Sequence, residues 1–537
     1  MTSDDLARAV SAHAPAGGGM VTSPDAAASR AGADVLARGG TAIEAAVAIG
    51  AALAVTRPHF CGLGGDAIWI VADRHGRRQV FSAIGQATRH AIADGPIPVR
   101  GPGAALTTAA VVAGWAHALD WSRWHWGGRA SLAELLAPAI GLAEDGFPVS
   151  PSQAFWLAFR AGETAAWPGF DALFGTAGAI GTGFRQPRLA ATLREIAEGG
   201  ARAFYEGDLA RRIVAGLAAA GSPIDLDDLA ATRVREEAPL ALPYRGLELL
   251  APPPPTQGVT TLGILGTLAH FPLGEIVEGS ADHLHLCVEA VKAAFEDRHG
   301  LADPDFLDRP APDRLAPDRL AAHARGIDLR RAKPWGEPFR TGDTVFLGAV
   351  DAAGGAVSVL QSTYFDWGSG VVAGDTGLLW QNRGAAFGRA ADDPNRFEAG
   401  KRPFYTLNPG MAVADGRPRL VYGTQGADGQ PQTLALLLTR LIDHGLDPLE
   451  ALRRPRFLLG RTFSDGRDTL KIEADAGADV LAELARRGHE LSPIAAASPL
   501  AGQAGVIRIA ADGRLDGAHD PRGDGCAIGV EPRDEDR

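Results

Sequence analysis

The sequence predicts an α+β protein with antiparallel strand pairing, and three observations carry that reading. Segments of helical period alternate with short runs of two-residue alternation. Glycine and proline stand at the breaks between them. The run TVFLGAV, which begins at Thr344, is joined to AVSVLQSTY by the turn-rich DAAGG, the pattern of an antiparallel hairpin. At 537 residues the chain exceeds the usual single domain, so it forms either two domains or one large interleaved one.

From Gly19 onward two helical patterns precede a strand. Ser23 or Asp25 caps the first helix, Gly39 and Gly40 end it, an Ala-rich buried helix starts at Thr41, and residues 67–71 form a strand. Residues 129–240 are rich in helical patterns punctuated by glycine, without a repeat. The run APPPPTQG from Ala251 reads as a rigid extended segment that crosses the molecule. After it, HLHLCVEAVKAAFEDRHG has the spacing of one long amphipathic helix ending near Gly300. Residues 308–341 lack a continuous apolar face and form a polar approach to the strand at Thr344.

Composition excludes several function classes. A formal net charge of −12, with no Lys/Arg-rich patch interleaved with aromatics, opposes nucleic-acid binding. Cys61, Cys287 and Cys526 lie far apart, without metal-ligand spacing, and their odd number makes a poor disulfide framework. The opening MTSDDLARAV places acids where a secretory signal needs bases, and no apolar run reaches membrane-spanning length. These features predict a cytoplasmic protein with no membrane partner. His283 and His285 alternate instead of lying four apart, His489-Glu490 lacks a second histidine, and GAIGTG from Gly178 has the wrong glycine order for a dinucleotide loop, so no metal, nucleotide or flavin cofactor is expected.

A threonine that opens a strand after an aspartate is ordinary by itself, since β propensity alone places threonine there. Its surroundings are more specific. The block GDTVFLGAVDAAGGAVSVLQSTYFDWGSGVV resembles the processing site of gamma-glutamyltranspeptidases, with Thr344 at the nucleophile, Asp351 seven residues on, and Gly-Ser-Gly-Val-Val after the hairpin. Matches continue in order through SPDAAASRAGADVLARGG, PHFCGLGGD, AFEDRHGLADPDF, KRPFYTLNPGMAV, GTQGADGQPQ and DPRGDGCA, from residue 19 to 526.

The resemblance implies a four-layer αββα sandwich of the N-terminal nucleophile hydrolases, in which two stacked, mainly antiparallel sheets are flanked by helices. It implies self-cleavage between Asp343 and Thr344 into a large subunit, 1–343, and a small subunit, 344–537, that share one interleaved domain. An N-terminal threonine would carry both nucleophile and base, because its hydroxyl attacks while its freed α-amine, with a reference pKa of about 7.7–8.0, takes the proton. Ser362 aligns with a threonine that hydrogen-bonds the nucleophile. Gly426 and Ala427 align with paired glycines whose amides face the oxyanion; at Ala427 the Cβ loses any left-handed conformation a glycine would use. Plain structural readings stand beside these, a strand serine and a glycine turn.

The same alignment argues against glutamyl recognition. Ile84 and Gly85 stand where the family has Arg and Glu, and Ala385 and Ala386 replace the acidic pair that grips the α-amine. A glutamyl zwitterion would then lack both charge partners. Tyr405 replaces a pocket serine, Thr406 aligns with the second one, Tyr364 replaces an Asn, and Arg383 takes a rim position where Gln is usual. Arg383, Tyr364, Tyr405 and Trp367 together suggest a small pocket that clamps one carboxylate beside the scissile amide.

This constellation is similar to the oxamate amidohydrolase branch, implying release of ammonia and oxalate in purine degradation. A glutathione hydrolase or gamma-glutamyltransferase, a cephalosporin-acylase-like amidase, and an unprocessed binding protein are the alternatives. A small-molecule amide and the two subunits are the expected partners, with homo-oligomers possible. Asp297, Arg298, Asp303 and Asp305, like Asp520, Arg522 and Asp524, are read as ion pairs that support the fold.

Overall fold

Asp25 accepts hydrogen bonds from the Ala27 and Ala28 amides and so caps the helix Ala26–Ala37. Thr41 caps the next helix, Ala42–Thr56, in a reciprocal capping box with Glu44. Every residue of that second helix is buried, as its all-round apolar sequence requires. The computed structural model describes residues 10–309, 313–336 and 342–533. Among them the amphipathic helix runs Ala281–Glu296, and a short helix, Pro317–Arg325, occupies part of the stretch expected to be only a polar approach. Leu320 and Ala324 give that helix enough apolar surface to pack.

Two seven-stranded sheets form the centre, and every pairing within them is antiparallel. In the first, Asp343–Val350 lies between Gly19–Ser23 and Ala356–Tyr364, and Asp66–Ala72 pairs with the far side of the latter. In the second, Gly410–Ala414 and Arg417–Thr424 lie between Leu247–Ala251 and Ala504–Ile509. Strands from before and after residue 343 therefore both contribute to each sheet.

Strand periodicity sorts the core into three interfaces. Val345, Leu347 and Ala349 point to the helices around Ala42–Thr56, whereas Phe346 and Val350 point to the other sheet, where they meet Met411, Val421 and Ile507. Beyond the second sheet, Leu420 and Tyr422 pack on helices Gly258–Leu268 and Gln430–Leu438. The result is the four-layer αββα arrangement. By the same parity Asp66 and Ser362, which are register partners, belong to the face between the sheets.

The polar clusters read as structural hold elements together. Asp303 accepts from the Arg402 amide at 2.9 Å and from its guanidinium at 2.8 and 3.2 Å, and both side chains are buried. Removing one partner of such a pair strands the other charge, so Asp303→Ala is expected to lower stability by about 3–5 kcal/mol. Urea unfolding beside Asp305→Ala, whose carboxylate is largely exposed, checks this; equal losses would refute it. Asp520 pairs with Arg456 at 2.6 Å and with Arg522 at 3.2 Å, and Asp524 reaches Arg57 at 3.4 Å. Asp351 accepts from the Ala42 amide at 2.8 Å and the Gly355 amide at 2.8 Å, tying the hairpin turn to the helix start. Among the described residues no helix is long and apolar enough to cross a membrane.

Candidate active site

The ladder between Asp343–Val350 and Ala356–Tyr364 is interrupted at Thr344. Asp343 pairs with Tyr364 and Val345 with Gln361, so Thr344 alone faces both Ser362 and Thr363. This is a β-bulge, a device that re-aims side chains and unpairs backbone groups. Here it turns the Ser362 hydroxyl onto the carbonyl oxygen of Asp343, to which it donates at 2.7 Å. The same hydroxyl accepts from the Tyr364 amide at 2.7 Å. Ser362 is expected from the resemblance to bond the nucleophile itself; among the described residues its partners are instead the carbonyl before Thr344 and that amide. Tyr364 takes φ +86°, which few non-glycine residues adopt and which marks local strain at this junction. Thr344 is buried.

A second strained turn meets the first. After the strand Arg417–Thr424, Gly426 has φ +119° and Ala427 φ +44°. The expectation that alanine loses the left-handed conformation is therefore corrected: Ala427 adopts it, at a cost of roughly 1–2 kcal/mol relative to glycine. A Cβ placed on Gly342 would lie 3.0 Å from the Ala427 methyl, so the turn abuts the segment entering Asp343. Among the described residues neither the Gly426 nor the Ala427 amide donates to another group. The structure thus brings together Asp343, Thr344, Ser362, Gly426 and Ala427.

The residues expected to bind substrate are placed differently from the expectation. The Arg383 guanidinium lies between two phenol rings, 3.7 Å from the Tyr364 centroid and 3.9 Å from that of Tyr405. All three are buried, so Arg383 is not at a rim. Thr406 is buried too, and Trp367 packs against Phe170 and Phe174. Tyr405 belongs to the apolar cluster between the sheets. Asp66, which closes the motif PHFCGLGGD, has a role that the motif alone does not show. It accepts from the Gly85 amide at 3.0 Å, the Ala110 amide at 2.9 Å and the Tyr405 hydroxyl. Burial pushes its carboxyl up to about 7, against the opposing pull of hydrogen bonds and of the Arg383 charge. At Gly85 a Cβ would fall 1.7 Å from the Thr108 carbonyl oxygen, so no side chain fits where the family has its Glu.

A cavity of about 440 Å³ opens beside the bulge, lined by Gly342, Asp343, Gly426, Arg100, Arg160 and Asp366 among others, with Trp156 and Phe463 on its wall. None of Arg383, Tyr364, Tyr405 and Thr406 lines it. Asp366 accepts from Arg100 at 2.7 and 2.8 Å and from Arg160 at the same distances. Burial and then the charge of Asp366 push the Asp343 carboxyl up to about 8, although the residue as a whole is half-buried. Arg100 and Arg160 come from a loop and a helix far from Thr344 in sequence, which no local signal connects to it.

Spacing rules for metal ligands pass over one group: His285, Glu289 and His489 converge. His285 Nδ1 and His489 Nε2 share a hydrogen bond of 2.8 Å, His285 Nε2 reaches the Asp328 carbonyl at 2.8 Å, and Glu289 holds Lys292 at 2.6 Å. The buried ammonium already neutralises the carboxylate, so the group is satisfied as a helix-to-turn tie.

With the fold and this geometry established, comparison with known proteins is specific. The gamma-glutamyltranspeptidase family profile matches residues 28–530. The chain is 44% identical over 522 residues to the oxamate amidohydrolase proenzyme of Klebsiella pneumoniae subsp. pneumoniae, an alignment covering 95% of this chain and 98% of that protein. It is 39% identical over 521 residues to a glutathione hydrolase-like proenzyme of Bacillus subtilis, with the same coverage of both. Among solved structures, the cephalosporin acylase from Bacillus halodurans superposes with a TM-score of 0.87 at 30% identity, covering 96% of each chain. On profile, identity and superposition alike, the chain belongs to the gamma-glutamyltranspeptidase family of amide-bond hydrolases.

Proposed function

We propose that this chain is a proenzyme that cleaves itself between Asp343 and Thr344 and then hydrolyses a small acid amide, oxamate being the leading substrate. The observation that carries the reading is the Ser362 hydroxyl on the Asp343 carbonyl oxygen at a bulge that isolates Thr344. In the first reaction the Thr344 hydroxyl adds to the Asp343 carbonyl carbon and the C–N bond breaks. The Thr344 amine leaves protonated and an ester remains, which water opens to residues 1–343 and 344–537. Ser362, Gly426 and Ala427 polarise or receive the carbonyl oxygen. In the second reaction the free amine takes the hydroxyl proton, the hydroxyl displaces ammonia from the amide, and water releases the acid.

The small-acid reading draws on the 44% identical relative and on Ile84, Gly85, Ala385 and Ala386, which carry no charge at positions where the family is expected to hold its glutamyl ligands. Arg383 is the proposed carboxylate clamp, a role that requires the substrate carboxylate to reach the buried stack outside the cavity lining. Tyr364, the ladder partner of Asp343, stacks on the guanidinium. Two flanking phenols hold its plane, and lysine would lose both that stacking and the bidentate fork.

Arg383→Lys is expected to raise KM for oxamate about tenfold or more, the equivalent of about 1.5–3 kcal/mol for a charged hydrogen bond, and to leave self-cleavage unchanged. Ammonia release from oxamate beside chromophore release from gamma-glutamyl-p-nitroanilide tests both points. Turnover of the glutamyl compound alone would replace the substrate assignment, and an unchanged KM in Arg383→Lys would refute the clamp. A role in purine degradation follows only from this substrate and belongs to the same proposal.

A further inference from the structure

Gln257, two residues after the proline run, is fully buried. Its carboxamide nitrogen donates to the Ala427 carbonyl at 2.7 Å and to the Thr406 carbonyl at 2.7 Å. Its backbone amide donates to the Tyr405 carbonyl at 3.0 Å, and the Tyr405 amide returns to the Pro255 carbonyl at 2.9 Å. Its carboxamide oxygen accepts from Arg298 at 3.4 Å, and Arg298 is ion-paired with Asp428 at 2.7 Å. One side chain thus ties the Gly426–Ala427 turn to the Tyr405–Thr406 segment, while an arginine holds that same side chain and the residue after the turn.

We infer that Gln257 is a positioning residue that locks the Ala427 peptide so that the Gly426 and Ala427 amides stay aimed at the reacting carbonyl. The inference rests on the oxyanion role proposed for that turn. Ala427 is an L-residue held at φ +44°, so without an anchor on its carbonyl the strain favours rotation toward a relaxed conformation. Oxyanion donors act only within about 2.7–3.1 Å of the developing charge, and a displacement of about 1 Å costs on the order of 100-fold. The glutamine therefore acts through the backbone it holds, without touching substrate.

The test replaces Gln257 with leucine, similar in size and without donors. Gln257→Leu is expected to slow self-cleavage and to lower kcat for amide hydrolysis by about 10- to 100-fold, with a smaller change in KM. Ala427→Gly, which removes the strain, is expected to restore part of the rate in the double variant. Native rates in Gln257→Leu, or a loss that Ala427→Gly leaves untouched, overturn the inference.

If Gln257→Leu does not fold, Gln257→Glu serves in its place. A protonated carboxyl keeps one donor and an ionised one keeps none, so its rate relative to the native protein should rise as pH falls; a ratio flat with pH overturns the inference. The native protein measured in parallel separates the two levels, because a native chain that neither splits nor releases ammonia removes the proposed function itself.

Discussion

Thr344→Ala is expected to yield a single uncut chain with no amide turnover, because the proposed mechanism gives one hydroxyl both the self-cleavage and the attack on substrate. The native protein should run on a denaturing gel as pieces of roughly 36 and 20 kDa, scaling the 55.8 kDa mass by length. Thr344→Ser keeps a hydroxyl and should split slowly with some activity. Thr344→Ala removes only a hydroxyl and a methyl from one buried strand position, so the alanine variant should fold. A variant lacking the hydroxyl that still splits before residue 344 would sink the assignment, and an uncut native chain would favour the reading of a non-catalytic binding protein.

Ser362→Ala carries the second large effect. The Ser362 hydroxyl donates to the Asp343 carbonyl oxygen, on which negative charge would grow if the Thr344 hydroxyl adds to that carbonyl as proposed. Loss of one such donor costs about 100- to 1000-fold in comparable sites, so self-cleavage should slow by that factor, read from the time course of the two pieces. Ser362→Thr retains the hydroxyl and should split at close to the native rate. The alanine variant also loses the acceptor for the Tyr364 amide, so its unfolding midpoint is measured alongside. Cleavage of Ser362→Ala at the native rate would show that the hydrogen bond to Asp343 is bystander geometry.

Several elements are legible in the amino-acid sequence alone. The caps at Asp25 and Thr41, the hairpin of Asp343–Val350 with Ala356–Tyr364, and the long helix Ala281–Glu296 all follow from side-chain period and from local hydrogen bonding at element ends. The reading of Asp303 and Asp520 as structural ion pairs rests on local patterns of charged residues, and their partners Arg402 and Arg456 come from segments distant in sequence. The pocket is less legible. Tyr364, Tyr405 and Arg383 are neighbours, as the sequence pattern suggests, but a one-dimensional pattern carries no depth, and the three form a buried stack behind the cavity instead of its rim.

What the sequence by itself determined is most of the elements and the two-residue alternation that sends each strand side chain to the helices or to the other sheet; it also singles out Thr344 as the residue proposed as nucleophile. These are properties of covalent order and of side chains within a few positions of one another. Only the tertiary structure decided that Ser362 meets the Asp343 carbonyl, that Ala427 keeps a left-handed turn, and that Gln257 joins that turn to residue 406. The first depends on a one-residue offset between paired strands, and the others on segments about 150 residues apart that the stacking of two sheets holds within hydrogen-bonding distance. The register of a ladder and the contacts between layers are set by the summed packing of both faces, which no local window of the chain contains.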